Sequence, residues 1–207
     1  MGFYDVFANF YDASLEPLYV EYRALAADAL SLTSSAVVLD LPCGTGQSFE
    51  VLASRVGSGG TIFGVDASAG MLQRAAARVS KCGYSNVHLV QAGAESLAAP
   101  QLAAAAGRDT QVNRLHVFLG MTVFADPDAT FENLWELLAP GGICVLVDVH
   151  AERLGVQGWL VNQIARADIR RRFWEPLERV ALDFERRHLP FRRQHGGQIM
   201  LARGRKP

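Results

Sequence analysis

The sequence of 207 residues lacks the features that mark secreted and metal-binding proteins. It has only three cysteines, Cys43, Cys82 and Cys144, and no two of them form a CxxC pair. So few thiols exclude a disulfide framework and a zinc site built on paired cysteines, so we expect no metal centre. Because free thiols are typical of a reducing compartment, we expect a cytoplasmic protein.

Long apolar runs and a basic leader are also missing. No stretch approaches the ~20 apolar residues that cross a bilayer, so we expect no transmembrane segment. Residues 1–6 carry no Lys or Arg, and we therefore expect no signal peptide. Peripheral contact with a membrane surface stays open on these grounds, because such contact needs no spanning helix.

The chain has no excess charge of one sign, since 20 Lys and Arg stand against 21 Asp and Glu. A net charge of −1 gives no reason to expect a nucleic-acid partner. The charges are nevertheless unevenly spread. Residues 1–150 carry 7 basic and 15 acidic side chains, a net of −8, whereas residues 151–207 carry 13 and 6, a net of +7. This asymmetry indicates a particular partner for one end of the chain.

What is present is a globular composition with alternating strands and helices. Half of the residues are apolar and a fifth are charged, and the length fits one domain over residues 1–207. Continuous apolar strands that alternate with helices predict a doubly wound parallel sheet. The predicted parallel strands are Ala36–Leu41, Thr61–Asp66, Val87–Ala92, Leu115–Gly120 and Ile143–Val149. The predicted helices cover 15–32, 46–56, 69–82, 127–138, 156–174 and 176–184, with no element in 95–113.

The C-terminal part follows a different pattern. Two further strands, Glu185–Pro190 and Gln198–Arg203, flank a Gly196-Gly197 turn and are predicted to pair antiparallel. With the five parallel strands they make a seven-stranded, mostly parallel α/β sheet of the Rossmann-like type. The basic helix and the hairpin together form a C-terminal cap, about residues 151–207.

The sharpest local signal is the glycine-rich segment 39–47, which follows the first strand and opens a helix. Gly44 and Gly46 allow a ligand to approach the backbone, because glycine has no Cβ and tolerates positive φ. The helix N-terminus offers free N–H groups. Asp66 ends the next strand, where a carboxylate is placed to accept hydrogen bonds from both hydroxyls of a ribose.

Two cofactors use this arrangement. A nicotinamide dinucleotide needs a third glycine for close helix packing, and Phe49 occupies that position here. Asp40 precedes the loop, and a carboxylate repels a pyrophosphate but attracts an ammonium group. S-adenosylmethionine (SAM) has an ammonium, a sulfonium and a ribose but no phosphate. The loop therefore favours SAM over a nicotinamide cofactor.

These motifs, taken in order, resemble the class I SAM-dependent methyltransferases. Residues 40–46 are similar to the D-x-x-x-G-x-G motif of that family. Residues 65–68, with Met71 and Leu72, resemble the second motif of its ubiquinone/menaquinone C-methyltransferase-like branch. Residues 138–142 match the L-x-P-G-G turn before strand five. Tyr4-Asp5 and Tyr11-Asp12 resemble the opening of several branches, so the resemblance spans about residues 3–203.

The resemblance implies SAM as the cofactor and S-adenosyl-L-homocysteine as its product. Motif positions would hold the methionine end, the ribose and the adenine, and the end of strand four would lie beside the methyl donor. Tyr11 would close the pocket from a lid helix at about residues 3–14. The implied cofactor-binding residues are Tyr11, Asp40, Leu41, Gly44, Gly46, Asp66, Ala67, Met71, Ala94, Glu95, Leu119, Gly120 and Met121.

Residues for the chemical step are less clear from the sequence. Methyl transfer is an in-line displacement in which positioning and desolvation do much of the catalysis, so a general base is not obligatory. His150 follows strand five and is the candidate catalytic residue, the alternative being a loop histidine bonded to backbone. Asp148 is either a polar wall of the pocket or part of a salt bridge under the basic helix. His116 is expected at the start of strand four, at the opposite edge.

The substrate is predicted to be a small molecule, with Tyr4, Arg166 and Arg170 as candidate contacts. The arginines of the basic helix either bind an anionic or lipid-like group or form a solvated face. A phospholipid amine N-methyltransferase at a membrane surface is therefore one alternative. A nicotinamide-dependent oxidoreductase and a non-catalytic SAM-binding protein are others. The sequence does not identify the acceptor, the methylated atom or the oligomeric state.

Overall fold

A computed structural model describes residues 18–191 and 196–207 of the chain. Within them seven strands form one sheet: β1 (Val37–Asp40), β2 (Thr61–Asp66), β3 (Val87–Gln91), β4 (Val112–Phe118), β5 (Leu138–His150), β6 (Leu182–His188) and β7 (Gln198–Arg205). The strand order is β3-β2-β1-β4-β5-β7-β6. The first five strands are parallel, and β7 runs antiparallel to both β5 and β6. The predicted fold class is confirmed.

Helices cover both faces of this sheet. They are α1 (residues 18–29), α2 (Phe49–Val56), α3 (Ala69–Cys82), α4 (Ala99–Ala106), α5 (Pro127–Leu137), α6 (Val156–Ala165) and α7 (Glu175–Val180). Tyr22 of α1, Phe49 of α2 and Leu72 of α3 pack in one apolar core. Leu102 of α4, Phe131 of α5 and Leu177 of α7 pack in a second core on the opposite face. Burial on both sides explains the continuous apolar runs of the central strands.

Local capping chemistry sets the best-predicted element boundaries. Ser68 caps α3, its hydroxyl accepting from the Met71 N–H at 3.2 Å, and the helix ends at Gly83 with φ of 69°. Asp126 caps α5 by accepting from the Ala129 N–H at 3.0 Å. Side-chain N-caps and a left-handed glycine satisfy the end groups that a helix leaves unpaired. These signals are local, and β2 and α3 have the predicted bounds.

Elsewhere the structure corrects the prediction. The alanine-rich stretch 95–113 contains α4, which ends at Gly107 with φ of 66°, so high helix propensity and a glycine stop outweigh its weak periodicity. The basic helix predicted for 156–174 ends at Ala165. Arg166 leaves it in the left-handed region, with φ of 50°. The helix predicted to reach residue 184 stops at Val180, and β6 begins at Leu182.

Two further predictions concern the ends of the chain and are neither confirmed nor contradicted by the structure. The lid helix over residues 3–14 lies outside the described residues, and a single domain over 1–207 stays a prediction. Along 18–191 and 196–207, no helix is both long and apolar enough to cross a membrane.

Candidate active site

A cavity of about 780 Å³ lies at the carboxyl edge of the parallel strands. Its walls come from the loops that follow β1, β2, β3 and β4, from the end of β5, and from α1 and the end of α6. A volume of this size is within the range of small-molecule and cofactor sites. Ligands of open α/β sheets bind at this edge, so the cavity is the candidate active site.

The loop between β1 and α2 forms the floor of the cavity. The Cys43 N–H donates to the Val65 carbonyl at 2.8 Å, which ties the loop to β2. Gly44 has φ of 54°, and a Cβ built there would meet no atom within 4 Å. Gly44 lines the cavity, so its bare backbone borders open space that a ligand can fill.

Phe49 occupies the position at which a dinucleotide motif would have its third glycine. Its ring is fully buried and lies under the loop, and a Cβ on Gly46 would be only 2.4 Å from the ring atom Cε2. Gly46 has φ of 79°, which also favours glycine. The ring thus takes up the space at the helix start, so Gly46 serves packing of the loop, and it does not line the cavity.

Asp66 links the two loops that flank β2. Its Oδ2 accepts from the Gly44 N–H and its Oδ1 accepts from the Ser68 N–H, both at 2.9 Å. The residue is 9% exposed and lines the cavity. Burial raises the pKa of Asp66, while hydrogen bonds from Ser68 and Gly44 act in the opposite direction. The Ala67 N–H is a third backbone donor to this carboxylate, which leaves about one of its four acceptor sites for the ribose hydroxyls.

Asp40 lies beneath the loop in a buried pair with His116. The His116 Nδ1 is 2.7 Å from the Asp40 Oδ1, and both side chains are 1% exposed. Asp40 and His116 are register partners of β1 and β4. The predicted position of His116 is wrong, because β4 begins at Val112 and this brings His116 beside the cofactor loop. Neither residue lines the cavity, so contact of Asp40 with the cofactor stays a prediction.

Asp148 of β5 lines the cavity on its opposite wall. Its Oδ2 accepts from the Thr122 N–H at 3.0 Å, and its Oδ1 accepts from the Thr122 hydroxyl and the Val149 N–H, both at 2.8 Å. The Met121 N–H is a further donor to this carboxylate. Asp148 therefore anchors the turn after β4. The sequence left two roles open for Asp148, a polar wall of the pocket and a salt bridge under the basic helix. The structure shows the polar wall, and no described arginine is paired with Asp148.

This anchor has a measurable pH dependence. Burial raises the pKa of Asp148 from 3.8 to about 6, so at intermediate pH the folded chain holds a proton that the unfolded chain has released. The proton stabilises the folded state at low pH, and about 3 kcal/mol of this contribution is lost as the pH rises from about 4 to about 6. We expect the free energy of unfolding of the wild type to fall by this amount relative to Asp148→Asn over that range. Urea denaturation at a series of pH values measures it.

Asp109→Asn is the matched control, because Asp109 is exposed. Its stability curve should run parallel to that of the wild type. A parallel curve for Asp148→Asn as well would show that burial does not perturb this carboxyl.

Three of the predicted catalytic and substrate residues, His150, Arg166 and Arg170, are not part of the cavity lining. The His150 Nδ1 is 3.1 Å from the Arg171 carbonyl oxygen, and its ring packs edge-on against Trp174 at 4.9 Å between centroids. Arg170 is exposed and 3.4 Å from Asp168. Arg166 is also exposed and is not part of the lining. A catalytic role for His150 and a substrate role for the two arginines remain predictions without a cavity contact. Tyr4 and Tyr11 are outside the described residues.

The other predicted cofactor residues divide into two groups. Gly120 and Met121 are not part of the lining, and a Cβ on Gly120 would lie 2.4 Å from the Cδ of Pro42, so Gly120 permits close packing of two loops. The remainder line the cavity with Gly44 and Asp66: Leu41, Ala67, Met71, Ala94, Glu95 and Leu119. Leu119 has φ of 56°, a strained backbone of the kind that clusters at functional sites.

Several lining residues have no counterpart in the sequence prediction. Arg23 of α1 is buried, contacts Gln47, and lies over the Phe118 ring at 5.0 Å from its centroid. A lone arginine within an alanine- and leucine-rich helix is the signal that would have pointed to it. Ile164 and Ile169, on either side of the turn after α6, complete the apolar wall. Their contribution depends on the end of α6, which the sequence prediction placed too late.

Comparisons with known proteins show the family to which the chain belongs. A family model described as a methyltransferase domain matches residues 32–174. An arsenite methyltransferase of Aquipseudomonas alcaligenes is 33% identical over 136 residues, covering 64% of this chain and 38% of that protein. A 2-phytyl-1,4-naphtoquinone methyltransferase of Thermosynechococcus vestitus is 30% identical over 151 residues, covering 70% and 62%. The chain thus spans less than two thirds of the length of either relative.

A solved structure has the same fold. Geranyl diphosphate methyltransferase in complex with SAM superposes with a TM-score of 0.71 and 16% identity, covering 94% of this chain and 88% of that one. The family match covers more than half of the sequence and includes the loop after β1 and the end of β2. The chain therefore belongs to the class I SAM-dependent methyltransferases, the family whose cofactor is SAM.

Proposed function

We propose that this chain transfers a methyl group from SAM to a small, largely apolar acceptor bound in the same cavity. The observation that carries the proposal is one continuous cavity with two unlike parts. The loops after β1, β2 and β3 build a part with backbone and carboxylate groups. The turn after β4, the end of β5 and the turn after α6 build a mainly apolar part, whose polar side chains, Asp148 and Thr122, are hydrogen-bonded to each other. SAM, when bound, supplies an electrophilic methyl group on a sulfonium.

The residues of the first part fit SAM. Asp66 offers acceptors for the ribose hydroxyls, and Gly44 leaves open space beside it. Met71 and Ala67 provide apolar surface for the adenine ring. The charged side chains of the lining are three carboxylates and one guanidinium, so a cationic ligand is favoured over an anionic one. These charged residues are Arg23, Asp66, Glu95 and Asp148.

The second part would hold the acceptor and exclude water. Phe124, Val149, Ile164 and Ile169 form an apolar wall that faces the cofactor loops across the cavity. Apolar walls desolvate both reactants and restrict their relative orientation, and these effects lower the barrier of an in-line displacement. The chain's contribution to the reaction is therefore mainly positioning.

No described histidine lines the cavity, and the Asp148 carboxylate already accepts four hydrogen bonds. A carboxylate has about four acceptor sites, so the charged Asp148 is an anchor, and it would have to give up one of these hydrogen bonds to take a proton from the acceptor. A phenol or a reduced quinone is far more acidic than an alcohol, with a phenolic pKa of about 10, so such an acceptor depends less on a protein base. This chemistry favours an aromatic hydroxyl compound or its ring carbon as the nucleophile.

The two curated relatives are named for different acceptors, a naphthoquinone and arsenite. Arsenite is thiophilic, and soft ions are bound by thiolates. Cys43 lines the cavity, but burial raises the pKa of its thiol. Cys82 is exposed and Cys144 is buried, and neither lines the cavity. The arrangement therefore favours an apolar quinone-type acceptor over arsenite.

Incubation with SAM and a reduced naphthoquinone, followed by chromatography of S-adenosyl-L-homocysteine and mass spectrometry of the acceptor, tests the proposal. We expect both products, with the methylated acceptor in equal amount, and no turnover with arsenite. A Cys43→Ala variant should keep its activity, because the proposed chemistry uses no thiolate. SAM binding without turnover of quinols or phenols would contradict the proposal and favour a non-catalytic SAM-binding protein.

A further inference from the structure

Helix α6 presents large apolar side chains to the outside of the molecule. Val156 is 81% exposed, Trp159 53%, Leu160 44% and Ile164 50%. Their spacing of three and four residues places them on one face of the helix. A surface helix normally turns its apolar face inward, so this outward face is the reverse of the usual pattern.

The inner face of α6 explains the reversal. Gly158 is buried, and a Cβ there would lie 2.8 Å from the Gly196 carbonyl oxygen. Asn162 is half-buried, and its side-chain oxygen accepts from the Ile169 N–H at 3.1 Å. Glycine and asparagine seat the helix close to the protein through backbone contact. The closest approach of α6 to the domain therefore comes from Gly158 and Asn162, while the large side chains of its outer face remain 44–81% exposed.

We propose that this outer face, Val156, Trp159, Leu160 and Ile164, docks into the surface of an anionic lipid bilayer. The ten residues of α6 include no charged side chain, while the exposed Arg153 and Arg166 lie just before and just after the helix. Apolar side chains enter the boundary between headgroups and acyl chains, and flanking arginines contact lipid phosphates. Tryptophan favours that same boundary, because its ring is apolar and its N–H is polar.

A bilayer fits this face better than a second copy of the chain does. A ten-residue helix covers a strip about 15 Å long and about 10 Å wide. A stable protein–protein interface buries about 800 Å² of accessible surface on each partner, more than four partly exposed side chains supply. A bilayer needs no matching partner surface, since the lipid chains adapt to the shape of the side chains.

The docking face borders the cavity. Ile164 belongs to the outer face and also lines the cavity, and Ala165 next to it lines the cavity as well. The bilayer would therefore lie beside the apolar part of the site, so that an apolar acceptor dissolved in lipid could enter without crossing water. This route for the acceptor rests on the proposed function, whereas docking itself requires neither SAM nor turnover.

Tryptophan fluorescence with vesicles tests the inference. Trp159 is the exposed one of the three tryptophans, since Trp135 and Trp174 are buried. We expect vesicles of phosphatidylcholine with phosphatidylglycerol to shift its emission to the blue and to sediment the chain. Pure phosphatidylcholine vesicles should bind more weakly, because they lack the anionic headgroups.

A matched pair of variants retains Trp159 as the reporter. The double variant Val156→Asn/Leu160→Gln should bind the anionic vesicles at least about tenfold more weakly. The control Val180→Asn/Leu182→Gln makes the same changes at two other exposed sites, each 43% exposed, and should bind like the wild type. SAM binding by each variant, measured without vesicles, shows separately whether the cofactor site is intact.

The remaining outcomes would overturn the inference. Equal vesicle binding by both double variants would place the lipid contact elsewhere on the chain. A wild type that does not bind vesicles but dimerises through residues lost in Val156→Asn/Leu160→Gln would make the face a self-association surface. A monomer that binds no vesicle would leave the face without a lipid role.

A failure to form S-adenosyl-L-homocysteine is a separate result, which would contradict the proposed function and leave the docking inference unaffected.

Discussion

Asp66→Ala is expected to weaken SAM binding by about a hundredfold. The carboxylate has two tasks at once, because its oxygens accept from the Gly44 and Ser68 N–H groups and have acceptor capacity left for the ribose. A hydrogen bond to a charged group contributes about 1.5–3 kcal/mol, so the loss of the ribose contact together with the loosening of the loop amounts to about 3 kcal/mol. Removal of the side chain also releases the Gly44 N–H that shapes the loop. Isothermal titration calorimetry with SAM measures the change.

Two further variants separate these tasks. Asp66→Asn retains the shape but points an amide NH₂ at one of the two backbone donors, so it should bind SAM almost as poorly as Asp66→Ala does. Asp109→Ala removes an exposed carboxylate of the same charge and should leave the affinity unchanged. If Asp66→Ala binds SAM like the wild type, the cofactor lies elsewhere and the assignment of the site fails.

His116→Phe is expected to lower the free energy of unfolding by about 3 kcal/mol. The variant leaves the Asp40 carboxylate buried with neither oxygen hydrogen-bonded, since its Oδ2 already lacks a partner among the described residues. Breaking a buried pair by removal of one partner costs about 3–5 kcal/mol, because a buried polar or charged group is then uncompensated. Urea denaturation monitored by circular dichroism measures the loss.

The double variant Asp40→Leu/His116→Phe tests the cause. Replacement of both partners by apolar groups removes the uncompensated carboxylate, so the double variant should be more stable than His116→Phe alone. His188→Ala, at an exposed position, should change the stability by less than about 0.5 kcal/mol. Additive effects of the two substitutions would show that the pair is not coupled.

The parts of the fold that follow from local chemistry could be predicted. Residues 62–65 form a continuous run without a polar side chain that ends at Asp66, and Ser68 and Gly83 delimit the next helix, so β2 and α3 have the predicted bounds. The glycine-rich loop and the carboxylate after β2 are adjacent in any parallel sheet of this order. Their meeting through the Gly44–Asp66 hydrogen bond therefore needed no knowledge of distant residues.

The parts of the fold and of the site that depend on strand register and on packing could not be predicted from the sequence. Asp40 and His116 are 76 residues apart, and only the pairing of β1 with β4 makes them neighbours. Asp148 became an anchor because the turn after β4 places Thr122 against it. The outward face of α6 follows from the close seating of Gly158, which no periodicity of the helix itself reveals.

The sequence by itself thus determined the alternation of strands and helices, the cofactor loop and the carboxylate at the end of β2, because each depends on residues near in the chain. The tertiary structure alone decided which acidic residues face the cavity, which pair beneath it, and which apolar helix face remains exposed. Those outcomes depend on the register of distant strands and on how closely a helix approaches its neighbours. Non-local packing sets both, and a single sequence carries no direct signal for either.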